Sequence, residues 1–176
     1  LFYLLTEDDY HVFGSFVISN LGLGDNTCGF NLAIHDPERR AYIETRQLSG
    51  DHFKGKEDTL FVRCGTISIE GDAERLRIRG ILDELGIDIE MLRVGPGVAP
   101  GTIWFDKKKT QYMRYNVPHI KSKAEGRIRL GGKWRRIKGV ALVEHVTQNI
   151  GLHEYSKMWN RMRVLSSDTT MILGGF

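Results

Sequence analysis

The sequence has 176 residues, of which 41% are hydrophobic and 27% charged, with 20 glycines and four prolines. This composition excludes collagen-like, low-complexity and wholly disordered chains, and a chain of this length can bury roughly 70% of its unfolded surface. The net charge is only +3, and no apolar run approaches the ~20 residues of a membrane-spanning helix.

Along the chain, period-two alternation dominates. The opening run from Leu1 to Leu5 gives way to Thr6-Glu7-Asp8-Asp9, which is not the pattern of a signal sequence. Val12 to Ile18 is apolar on both faces, so its inward side is not assigned. Gly22-Leu23-Gly24 reads as a turn, and Phe30, Leu32 and Ile34 then alternate with Asn31 and Ala33. After turns at Asp36-Pro37 and Gly71-Asp72, Leu76 to Leu82 and Leu85 to Met91 repeat the alternation. Successive strand side chains point to opposite faces, so each run has one dry face and one wet face. Gly95 to Gly101, rich in Pro and Gly, is expected to cross one end of a barrel as a loop.

Ile128 and Leu130 lead into Gly131-Gly132, a two-residue hairpin signal, and a further strand follows from Lys133 to Glu144. Leu152, Tyr155, Trp159 and Met162 fall at helical spacing and predict the one helix, and Met171 to Leu173 is strand-like again. The expectation is an all-β fold, an antiparallel barrel or sandwich with one short helix near the C-terminal end. The chain starts without Met, which suggests an excised domain.

Charge is uneven. Residues 107–138 hold twelve basic side chains and one acid, Glu125, which makes the segment +11 and the remainder −8. The segment is read either as a wet sheet face balanced by acidic neighbours or as a surface for an anionic membrane. The two cysteines, Cys28 and Cys64, form no CxxC, and no Asn-x-Ser/Thr acceptor occurs. They are read as buried thiols in a reducing, cytosolic setting.

Chemistry-bearing motifs are sparse. Six histidines are scattered singly, so no zinc site is expected; phosphate-cradling loops and nucleophile elbows are missing. Glu144-His145, ending an apolar strand, is the one acid/base candidate, although strand geometry sends the two side chains to opposite faces. Trp104, Tyr112, Tyr115, Trp134, Trp159 and Phe30 could wall a ligand site or simply fill a barrel of about eight strands. Arg114 and Asn116 alternate with Met113 and Tyr115. An inward Arg114 would need an acid or a ligand head group, and an outward one is the simpler arrangement. Aromatics among basic strands permit a nucleic-acid surface, but no recognised signature supports one.

The stretches Ile18-Ser19-Asn20, Asp83 to Gly97, Met113-Arg114-Tyr115 with Pro118, and Gln148, His153, Lys157 and Trp159-Asn160 together resemble the survival factor proteins of fungi and other eukaryotes. Gly126 to Ile137, Gly139 and Glu144-His145 are similar to the wider carotenoid-hydratase-like lipocalin superfamily. Enzymatic members there carry Trp and Asp where this chain has Leu142 and Glu144.

The resemblance implies a lipocalin-like domain over residues 1–176, the N-terminal part of a two-domain protein. It also implies a non-catalytic carrier of a ceramide-like lipid that contributes to survival of oxidative stress, needs no cofactor, and is cytoplasmic or peripheral at endoplasmic reticulum and Golgi membranes. On that reading the barrel is hollow, Arg114 and Asn116 meet the lipid head, and the six aromatics line the interior. The alternatives are an enzyme acting on an isoprenoid or polyketide through Glu144 or His145, and a stress-response scaffold.

Overall fold

The alternating runs become antiparallel strands whose order wraps them into a barrel. The computed structural model describes residues 1–20, 26–56, 60–158, 160–166 and 168–175; the turn read at Gly22 to Gly24 lies outside them. One meander is β1 (Phe2–Thr6), β2 (His11–Ser19), β3 (Thr27–His35) and β4 (Ala41–Ser49). A second is β5 (Phe53–Lys56), β6 (Leu60–Cys64), β7 (Ile67–Gly71), β8 (Arg75–Leu82) and β9 (Leu85–Arg93). A long hairpin, β11 (Tyr112–Leu130) and β12 (Lys133–Gln148), joins them, with β12 beside β1 and β11 beside β9. Gly131 and Gly132 have φ of +55° and +75°, as a two-residue turn with the hand of twisted strands requires. No helix among the described residues is long and apolar enough to cross a membrane.

Two of the expected elements need correction. The Gly95 to Gly101 segment is not all loop, because β10 (Val98–Trp104) pairs with β11. Pro100 is tolerated there because β10 has β11 as its one ladder partner, and the register shifts between Val98 and Gly101. The predicted helix is cut short. α1 covers only Leu152–Tyr155, and Met162 lies instead on β13 (Asn160–Leu165), which pairs with β14 (Thr170–Gly175). The ion pairs of Arg161 and Arg163 described below require alternation, which a helix does not provide.

The sheet's outer strands, β4 and β5, are consecutive in the chain, joined by a single 3₁₀ turn at Gly50–His52. The seam between the two meanders is closed by a disulfide from Cys28 on β3 to Cys64 on β6, 36 residues apart. These residues are buried as expected, but they are bonded and not free thiols. Bonded cysteines give no support to a reducing setting. Arg46 on β4 also donates to Asp83, in the β8–β9 turn, at 2.9 Å.

Much of the barrel interior is packed. Phe2, Leu32, Ile34, Ile87, Ile89 and Ile128 face inward and are at most 1% exposed. A wall lining a void wide enough for water would carry accessible surface, and these side chains have essentially none. Each such burial contributes about 1.5–3 kcal/mol, so the barrel expected to be hollow is filled along β1, β3, β9 and β11. Tyr42, Glu44, Arg46 and Leu48 of β4, opposite the inward residues of β3, stay partly accessible.

Gly126 sits on β11 opposite Ile89 of β9. With φ at +152°, a Cβ there would lie 2.1 Å from the Asp88 carbonyl oxygen. Gly126→Ala is expected to lose about 2 kcal/mol of stability in urea unfolding, and an unchanged midpoint would contradict this close approach.

Candidate functional site

β11 changes neighbours along its length. Ser122 to Arg129 pair with β9, whereas Met113 to Val117 pair with β10. Bulges between Asn116 and Ser122 accomplish the switch. Pro118, which lacks an N–H, lies there, and buried His119 holds the kink through an Nδ1···Oγ contact of 2.7 Å with Ser122. Burial and the nearby Arg93 guanidinium lower the His119 pKa.

Beyond the kink, the outer face of the hairpin carries a second layer, the β13–β14 hairpin. Its alternation is inverted relative to a surface hairpin. Arg161 and Arg163 turn toward β12, while Met162, Val164, Met171 and Leu173 form cross-strand pairs on the exposed face. Both arginines meet Glu144, whose side chain is 0% exposed. Arg163 donates from Nε and Nη2 at 2.9 and 2.8 Å, and Arg161 from Nη1 at 3.2 Å. Their guanidiniums also stack, Arg163 over Tyr3 and Arg161 over Tyr115. Burial pushes the Glu144 carboxyl upward, but the hydrogen bond and charge of Arg163, the Tyr115 hydroxyl and Arg161 outweigh it and hold the pKa below the ordinary value.

Between this hairpin and the β10–β11 ladder lies a cavity of about 310 Å³. Val98, Ile103, Met113, Val117, Ile120 and Ile172 supply its apolar wall, with Tyr115 and Arg161 among the other lining residues. It opens on the outside of the barrel, not into its interior.

The structure brings one of the expected ligand residues, Tyr115, to this cavity. Its hydroxyl is buried, and among the described residues it closes no hydrogen bond of normal geometry. Burial and neighbouring Glu144 raise its pKa. Trp104 and Tyr112 pack edge-to-face on each other at 5.7 Å, next to cavity residues Ile103 and Met113. Arg114 and Asn116 alternate with the cavity-lining Met113, Tyr115 and Val117 and so belong to the opposite face; Arg114 is exposed and donates to Thr102 at 3.5 Å. Trp134 lies at the far end of the long hairpin under Arg127, 4.6 Å from the guanidinium. Phe30 is in the packed core, stacked on Phe2. Trp159 lies outside the described residues.

Val98, Ile103, Met113, Val117, Ile120, Arg161 and Ile172 line the cavity without having been expected as ligand contacts. A signal existed for one of them, since Arg161-Met162-Arg163-Val164 alternates with period two. The basic segment lies along the adjacent strands β11 and β12 and the turn before them, where Arg127 pairs with Asp88 at 3.1 Å and Lys138 with Glu125 at 3.6 Å.

The Svf1 family model matches residues 1–176, the whole chain. The chain belongs to the Svf1 family. No curated protein matches it in sequence. In structure this Svf1-family chain is similar to a protein assigned as AttH from Nitrosomonas europaea, with a TM-score of 0.70 and 12% identity. That match covers 92% of this chain and 53% of the other, so the Svf1-family chain spans about half the length of its structural neighbour. At that identity the likeness establishes the lipocalin-like fold alone.

The strand does part Glu144 from His145 as expected, one buried and the other exposed. Glu144 is ionised between two guanidiniums, a poor arrangement for donating a proton at neutral pH.

Proposed function

We propose that this Svf1-family chain is a non-catalytic carrier module for a long-chain lipid, contributing in that way to survival of oxidative stress. The hydrocarbon chain is held in the groove beneath β13–β14 and not inside the barrel. The observation that carries this reading is the apolar cavity of about 310 Å³ beside a largely packed barrel interior. Each methylene moved from water into it contributes about 0.8 kcal/mol. A cavity of this size, near the lower end of the ~300–1,000 Å³ typical of ligand sites, suits one hydrocarbon chain. Of a two-chain, ceramide-like lipid it would hold only one chain.

Mass spectrometry of lipid extracted from the purified protein tests the reading, with a long-chain species expected at near-stoichiometric amount. Val98→Trp, which thrusts an indole into the mouth of the groove, is expected to reduce the co-purifying lipid at least about tenfold without unfolding the barrel. Undiminished lipid in a folded Val98→Trp protein would remove the groove as the carrier site.

A further inference from the structure

Exposed apolar surface is concentrated on one flank of the molecule. Of the sixteen large hydrophobic side chains exposed among the described residues, eight lie on β10 or between Met158 and Leu173, which marks this flank as a contact surface. Trp104, at the end of β10, is 43% exposed and packs edge-to-face on Tyr112. The turn that follows carries Lys107, Lys108 and Lys109, all exposed, and among the described residues no carboxylate pairs with any of them. Asp106, the one acid from Val94 to Ala124, is engaged inside the turn. It accepts from the Thr110 N–H and hydroxyl and from the Gln111 N–H at 2.8, 2.9 and 2.8 Å. Those bonds, with Phe105 stacked on Tyr155 at 4.1 Å, hold the turn in shape and leave the three ammonium groups in solvent.

A lysine is a mobile point charge on a long apolar stem, which suits a fluid layer of phosphates, whereas a fixed anionic group is matched by the guanidinium fork. An indole beside the lysines suits the boundary between headgroups and acyl chains. We propose that the β10–β11 tip docks on an anionic lipid bilayer, with Trp104 in the headgroup layer and Lys107, Lys108 and Lys109 against the lipid phosphates. The tip adjoins the groove through Ile103, but docking does not depend on a cargo being carried there.

The test is co-sedimentation of the full chain with vesicles of phosphatidylcholine alone and of an equimolar mixture with phosphatidylserine. Binding to the mixed vesicles is expected to be about 100-fold tighter at low ionic strength and to weaken as salt is added. Lys107→Gln/Lys108→Gln/Lys109→Asn should lose most of that preference; Asn tolerates the positive φ of Lys109. Lys133→Gln/Arg135→Gln/Arg136→Gln removes the same charge at the other end of β11 and should change binding less than about threefold. Brominated lipid should quench tryptophan emission in wild type, and much of that quenching should vanish in Trp104→Phe. Equal binding to both vesicle types, equal losses in the two triple variants, or quenching unchanged in Trp104→Phe would overturn the docking tip. Binding of polyglutamate as tight as that of the mixed vesicles would overturn it in favour of an acidic protein partner. None of these outcomes touches the carrier reading, which lipid extraction tests separately.

Discussion

Glu144→Ala is expected to destabilise the protein by about 3–5 kcal/mol, because it strands two largely buried guanidiniums with no carboxylate between them. The same two contacts fasten β13 to β12, so the loss extends beyond one side chain to the docking of the β13–β14 hairpin. Glu144→Gln keeps the shape and removes the charge, and should lose nearly as much in urea unfolding at neutral pH.

The pH dependence carries the same signature. Because the folded pKa of Glu144 is depressed, its contribution is complete above the unfolded value of about 4.5 and disappears as pH falls through the folded one. Wild type and Glu144→Gln should therefore converge in stability below that range. His119 adds an earlier loss. Its folded pKa is also lowered, so stability begins to fall once pH drops below its ordinary 6.5, and this limb should persist in Glu144→Gln. A variant whose acid unfolding superimposes on wild type from pH 7 downward would show that Glu144 does not anchor the hairpin.

Reduction of the Cys28–Cys64 disulfide should cost a comparable amount, about 4 kcal/mol from the chain entropy released by opening a loop of 36 residues. The effect is concentrated at one place in the barrel. β4 and β5 end the sheet, and besides the connecting turn the seam between their meanders is spanned by this bond and by the Arg46–Asp83 ion pair. The ion pair is solvent-exposed and contributes at most about 1 kcal/mol. Cys28→Ser/Cys64→Ser should match reduced wild type in denaturant midpoint, and hydrogen exchange should rise first along β3–β6. The native protein should take up no thiol label. Identical midpoints with and without reductant would count against the bond as the closure of the barrel.

The strands were legible because their information is local. Leu76 to Leu82 and Leu85 to Met91 alternate so regularly that their buried face could be read directly, and Gly131-Gly132 announced the longest hairpin. The site was far less legible. Its apolar wall combines β10 residues from a stretch rich in proline and glycine with β13–β14 residues whose apolar spacing imitates a helix. Met162 fits a helical stripe with Leu152 and Tyr155, and only the demand of Glu144 for both Arg161 and Arg163 selects the strand. Arg114 and Tyr115 were both credible ligand contacts, yet adjacent strand positions face opposite ways, and only one of the two could meet the groove.

By itself the sequence determined the strand pattern, the turn at Gly131-Gly132 and the all-β class, since each depends on residues within a few positions of one another. Membership of the Svf1 family was likewise legible in the spaced motifs along the whole chain. Tertiary structure decided the rest: that Cys28 meets Cys64, that much of the barrel interior is packed, and that the greasy groove lies outside it. Periodicity tells which side chains share a face, but which faces meet depends on closure of the sheet between residues far apart in the chain, and no local pattern encodes that distance.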